Sequence, residues 1–180
     1  MGWRLLDFVP AAPKYVIIGA PHTSNVDWLM AMLYKYATSQ QMRWIGKREI
    51  FRPPFRGLMI RLGGIPLDRA HTQNFVEQMV EVFARHEQLC IAISPEGTRR
   101  RADYWRTGFY YMALGANVPI ALAKLDYGAR EIGIGEVIQP SGDLPADFAR
   151  IAAYYAGVRG RRPERQGPVA LRSPAVQEPA

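Results

Sequence analysis

Tyr15-Val16-Ile17-Ile18-Gly19-Ala20-Pro21-His22-Thr23-Ser24-Asn25-Val26-Asp27 reads as a strand, a break and the start of a helix. The β-branched run before Gly19 suits a buried strand. Pro21 lacks the N–H that a ladder needs and ends the strand. Asn25 can cap a helix running to about Thr38, and Asp27 then falls in its first turn, where the helix dipole favours an acid.

The same alternation continues along the chain. Further strands are expected over 42–46, 65–67, 89–94, 118–125 and 131–138, and further helices over 57–62, 72–85, 108–114 and 147–156. Pro53-Pro54 forces an extended entry into the second helix. In the third, Phe75, Met79, Val82 and Phe83 recur at helical spacing while Glu77 and Glu81 face outward. Strands alternating with helices predict a single α/β domain, a layered sheet of mostly parallel strands flanked by helices, over residues 1–159. From residue 160 the sequence turns rich in Arg, Pro, Gly and Gln, and 160–180 is expected to be a flexible surface tail.

A length of 180 residues suits one sizeable core. The net charge of +7 favours anionic partners: nucleic acid, anionic headgroups or phosphorylated substrates. Cys90 is the only cysteine, which excludes an intramolecular disulfide and a cysteine metal site; its apolar setting, Leu89-Cys90-Ile91, reads as core. No apolar stretch reaches the length of a membrane span. Trp3, Leu5, Leu6, Phe8 and Val9 crowd the start of the chain. They suit a segment packed on the core or an anchor lying on a bilayer.

Four clusters could carry chemistry. In the first, His22 precedes Asp27 across the strand-to-helix turn. A carboxylate accepting from one ring nitrogen leaves the other as a base, the base-and-orienter logic of a serine triad without the serine. Alone this spacing is common, and Asp27 could simply stabilise its helix. The second is Gly64-Ile65-Pro66-Leu67-Asp68-Arg69, a turn and brief strand that put a guanidinium at a strand end, able to grip a phosphate bidentately or to form a surface pair with Asp68. The third is Ser94-Pro95-Glu96-Gly97-Thr98-Arg99-Arg100-Arg101, directly after a core strand. Gly97 allows a tight turn whose N–H groups can face an anion, and Glu96 can hold an arginine or a substrate hydroxyl. Ser94 is not in a G-x-S-x-G elbow, which disfavours a serine hydrolase. The fourth is the stretch 43–69, where seven cations stand against Glu49 and Asp68. Phe51, Phe55, Leu58, Met59, Ile60 and Leu62 interleave with those charges, a mix suited to anionic lipid or to a packed helix with solvated arginines. Charge alone also admits nucleic acid, but no binding motif for it is present.

Taken in order, the clusters resemble the glycerolipid acyltransferase family, which includes the 1-acylglycerol-3-phosphate acyltransferases. His22 and Asp27 match its His-x4-Asp block, Gly64 through Arg69 its second, Pro95-Glu96-Gly97-Thr98-Arg99 its third, and Val118-Pro119-Ile120 its fourth; Lys47 stands where the family often has a basic residue. The likeness covers about residues 15–125. Ser94 departs from it, standing where an aromatic is usual. The resemblance implies an O-acyltransferase of phospholipid biosynthesis. It would move a fatty acyl group from acyl-CoA or acyl carrier protein to a lysophospholipid hydroxyl, foremost 1-acylglycerol-3-phosphate, with a lyso-aminolipid or glycolipid acceptor or a non-catalytic lipid-binding module as alternatives. It further implies His22 as base and Asp27 as orienter. Lys47, Asp68, Arg69, Glu96, Gly97, Thr98 and Arg99 would bind substrate, with backbone N–H groups near Gly97 as oxyanion candidates. No metal or cofactor is expected beyond the thioester co-substrate, nucleic acid is not an expected partner, and the expected location is cytoplasmic, peripheral on the inner face of an anionic membrane.

Overall fold

The computed structural model describes residues 2–67 and 75–173. One seven-stranded sheet organises them: β1 (Arg4–Asp7), β2 (Lys14–Ala20), β3 (Met42–Lys47), β4 (Gly64–Leu67), β5 (Leu89–Ile93), β6 (Ile120–Asp126) and β7 (Glu131–Ile138). The strands lie in the order β1-β7-β6-β2-β5-β3-β4. All neighbours are parallel except β6 and β7, which form an antiparallel hairpin, so the β7–β1 pair runs against the rest. Five helices flank the sheet: α1 (Asn25–Ala37), α2 (Arg56–Arg61), α3 (Phe75–Arg85), α4 (Gly108–Gly115) and α5 (Leu144–Tyr155).

Side-chain alternation along the strands gives the sheet two unlike faces. On one, Val16, Ile18, Leu89, Ile91, Ile120 and Leu122 pack beneath Met79 and Phe83 of α3, Phe109 and Met112 of α4, and Phe148 and Ile151 of α5. The opposite face is built on smaller residues. Cys90, Ala92, Ala121 and Ala123 meet Trp28, Ala31 and Met32 of α1, with Met42, Trp44 and Phe51 alongside. Cys90 is buried there, and burial pushes its thiol up to about 12, so it behaves as a small apolar residue.

Several expectations shift in detail. Ser24, not Asn25, is the N-cap of α1: its Oγ accepts the Val26 N–H at 3.2 Å while the Asp27 carboxylate accepts the Ser24 N–H at 2.7 Å, a capping box. The apolar N-terminal segment forms the edge strand β1, pairing Leu5 with Ile132, and Trp3 meets Tyr127 edge-on at 5.1 Å. Helix α5 starts three residues earlier than expected because Asp143 caps it, accepting from Ala146 N–H at 3.0 Å, with Pro145 in its first turn. The Arg- and Pro-rich stretch after α5 lies against the domain through residue 173. Arg162 N–H donates to Thr23 Oγ1 at 3.1 Å, Trp105 N–H to the Ala170 carbonyl at 2.8 Å, and Gln166 Nε2 to the Val158 carbonyl at 2.7 Å. Polar backbone and side-chain bonds join this segment to the domain, although its composition reads as a tail. Among the described residues no helix is long and apolar enough to cross a membrane.

Candidate active site

Strands β2, β5 and β3 lie side by side and parallel, so the turns leaving their C-terminal ends converge. His22 follows β2, Glu96 follows β5, and Lys47 ends β3. His22 Nδ1 lies 3.4 Å from Asp27 Oδ2. The tautomer that serves this contact carries its proton on Nδ1 and leaves the Nε2 lone pair for a substrate.

Asp27 is held on every side. Oδ2 accepts the Thr23 and Ser24 N–H groups, each at 2.7 Å, while Oδ1 accepts Ser24 Oγ–H and the Tyr127 hydroxyl, each at 2.9 Å. Burial alone would raise its carboxyl; the hydrogen bonds from His22, Ser24 and Thr23 outweigh that and hold it below the ordinary carboxylate value. Asp27 therefore stays an anion beside His22, suited to stabilise an imidazolium.

Glu96 behaves oppositely. It is 7% exposed, and burial pushes its carboxyl up to about 7, against the pull of the His22 N–H donating to Oε2 at 3.0 Å and with added repulsion from Asp27. Its contact is thus with the backbone that carries the base. Gly97 sits at φ +63°, the left-handed region that favours glycine, and its N–H donates to the Ser94 carbonyl at 3.2 Å, closing the turn. Arg99 donates to Asn25 Oδ1, tying this turn to the start of α1. Thr98 Oγ1 accepts the Arg100 N–H at 3.2 Å.

Two hollows meet at His22. A cleft of about 970 Å³ carries Lys47, Thr98, Arg99, Arg100, Arg106 and Arg165 in its wall, with no carboxylate among the described residues that line it. The other, about 170 Å³, runs under α1 over the small-residue face of the sheet, past Gly19, Ala31, Ala92, Ala123 and Ile134. A Cβ added at Gly19 would meet nothing within 4 Å, so the missing side chain is part of the hollow. His22, Trp28, Trp44, Ile45, Ile93 and Ser94 line both, forming the throat where the two meet.

A family model described as Acyltransferase matches residues 4–121. The chain belongs to the glycerolipid acyltransferase family. No curated protein matches it. This acyltransferase therefore acts on an acyl donor and a lipid acceptor. The structure brings together His22, Asp27, Lys47, Glu96, Gly97, Thr98 and Arg99; Asp68 and Arg69 lie outside the described residues. Among the described residues no cluster of three His, Cys, Asp or Glu could hold a metal. Sequence reasoning missed Tyr127, Trp28, Arg106 and Arg165. Tyr127 reaches Asp27 from 100 residues away, in the β6–β7 turn and beyond the family match. Nothing local distinguishes it from an ordinary turn tyrosine.

Proposed function

We propose that this acyltransferase moves a fatty acyl group from acyl-CoA or acyl carrier protein to a hydroxyl of a lysophospholipid, foremost 1-acylglycerol-3-phosphate. The observation that carries the reading is the position of the His22–Asp27 pair, at the throat between a cationic cleft and an apolar hollow. Lys47 and Arg99 hold the acceptor phosphate, a role the family resemblance also implies for Arg69, and the hollow takes an acyl chain. His22 Nε2 accepts the proton of the acceptor hydroxyl. The alkoxide attacks the thioester carbonyl carbon, the tetrahedral intermediate expels the thiolate, and the imidazolium returns its proton to sulfur. Asp27 stabilises that imidazolium. A positioned base supplies roughly 10²–10⁴-fold of the rate, so charge stabilisation and orientation supply the rest.

The surface supports a peripheral membrane location. On α1, Leu29, Leu33 and Tyr36 are exposed, as are Phe55, Leu58 and Ile60 on and beside α2, interleaved with Arg52, Arg56 and Arg61. Lys35 Nζ, donating to the Leu62 carbonyl at 3.1 Å, joins the two helices. Apolar groups framed by arginines suit peripheral contact with an anionic bilayer on the cytoplasmic side.

A labelled acyl-CoA offered with a panel of lysophospholipids, lyso-aminolipids and glycolipids, read by mass spectrometry, tests the reading. Acylated lysophosphatidate from the wild type and none from folded His22→Ala is the expected result. Retained turnover in that variant refutes the base assignment, and a different acylated product reassigns the acceptor.

A further inference from the structure

Among the described residues, four buried side-chain polar atoms stand without a hydrogen-bond partner: Trp28 Nε1, Gln40 Nε2, Ser94 Oγ and Tyr154 OH. Buried polar groups in folded proteins are almost always paired, so each such atom calls for an account. Gln40 and Tyr154 line neither hollow. Trp28 and Ser94 line both, beside His22.

Their placement is fixed. The Trp28 ring meets Trp44 edge-on at 5.5 Å, and Trp44 stacks on Phe51 at 5.6 Å. Ser94 leaves β5 at the start of the turn that carries Glu96, and its carbonyl accepts the Gly97 N–H. Glu96 in turn holds the His22 backbone. Two orphan donors and the base therefore share one rigid frame, and the Gly97 N–H is already engaged in building it.

We infer that Ser94 Oγ–H and Trp28 Nε1–H bind the carbonyl oxygen of the reacting acyl group and stabilise the oxyanion. This rests on the acyl-transfer reading above. With the acyl chain in the hollow and the carrier in the cleft, the thioester carbon passes through the throat. Attack by the acceptor alkoxide moves the C=O π pair onto oxygen, where the two donors meet it. Collapse restores the carbonyl, breaks the C–S bond, and the thiolate takes the proton from His22. Ser94 donates throughout and never carries the acyl group. Donors that hold no partner before substrate arrives give up no hydrogen bond when charge develops, a feature that favours an oxyanion site.

The test measures binding of two unreactive donor analogues by calorimetry: a long-chain alkyl-CoA thioether with no carbonyl, and a 2-oxoalkyl-CoA that keeps one. Wild-type protein should prefer the ketone by about tenfold, an effect of the size a hydrogen bond gives. Ser94→Ala and Trp28→Phe should each erode that preference and lower kcat by roughly 10²-fold. Ser94→Ala should also melt no lower than the wild type, because it removes an unpaired buried hydroxyl, an outcome that a purely structural serine would not give. Wild-type protein that transfers acyl groups yet binds both analogues equally overturns the inference and leaves the acyl-transfer reading standing. An acyl adduct on Ser94 in intact-mass spectra overturns it too, by making the serine a nucleophile. Protein that binds neither analogue and acylates no acceptor overturns both readings.

Discussion

Glu96→Gln replaces a buried, titrating carboxyl with a neutral amide of the same shape, one that can still accept the His22 N–H. The wild-type carboxyl is pushed from an ordinary value of 4.5 up to about 7, chiefly by burial. Between those values the native state holds a proton that the unfolded chain has released. Linkage then makes stability fall as pH rises through this window. The Glu96 contribution is fully present below about pH 4.5 and lost above about 7. One pKa unit corresponds to 1.36 kcal/mol, so the full effect is about 3 kcal/mol. Glutamine cannot titrate, and the other ionisable groups cancel when the two proteins are compared. Urea unfolding of both, followed by tryptophan fluorescence at intervals from pH 4 to pH 8, should show the wild type losing about 3 kcal/mol relative to the variant as pH rises. A stability difference that stays level across this range would show that Glu96 ionises normally, and would refute the claim that burial dominates its environment.

Tyr127→Phe keeps the ring against Trp3 and removes only the hydroxyl that donates to Asp27 Oδ1. A hydrogen bond to a charged group contributes about 1.5–3 kcal/mol, so kcat/KM should fall roughly tenfold or more; an unchanged value would show that the remaining donors suffice to fix Asp27. Gly19→Leu should fill part of the hollow under α1 and shift donor preference toward shorter acyl chains, at about 0.8 kcal/mol per methylene excluded. Competition between long and short acyl-CoA donors measures this, and an unaltered chain-length profile would mean that the acyl chain lies elsewhere. Phe55→Ser with Leu58→Ser should reduce flotation with anionic vesicles at unchanged circular dichroism, since both side chains are more than half exposed. Undiminished flotation would remove α2 from the membrane-facing surface.

Much of this architecture is legible because its signals are local. The run before Gly19, the amphipathic spacing from Phe75 to Phe83 and the apolar 89–94 stretch each specify an element without help from distant residues. The family blocks likewise sit at strand ends, where one turn brings each side chain to the cleft. β1 escaped because Arg4-Leu5-Leu6-Asp7 is four residues at a sheet edge, defined by its partner β7 more than by any pattern of its own. Tyr127 and Arg165 escaped for a related reason: their roles come from tertiary closure. The hollow under α1 was invisible for another. Alanines and glycines in strands look like weak strand formers, and only their shared face on β2, β5 and β6 turns them into a space.

The contact between Arg162 and Thr23 spans 139 positions of sequence, and that of Tyr127 with Asp27 spans 100. These separations impose an order in time. A ribosome working at roughly 5–20 residues per second delivers His22 and Asp27 first, and then takes on the order of ten to thirty seconds to supply Arg162. Until Tyr127 and then Arg162 arrive, the nascent chain carries its base and carboxylate without, in turn, the hydroxyl that donates to Asp27 and the backbone N–H that donates to Thr23. The surroundings of the His22–Asp27 turn are thus completed late in synthesis, long after the turn itself has been made.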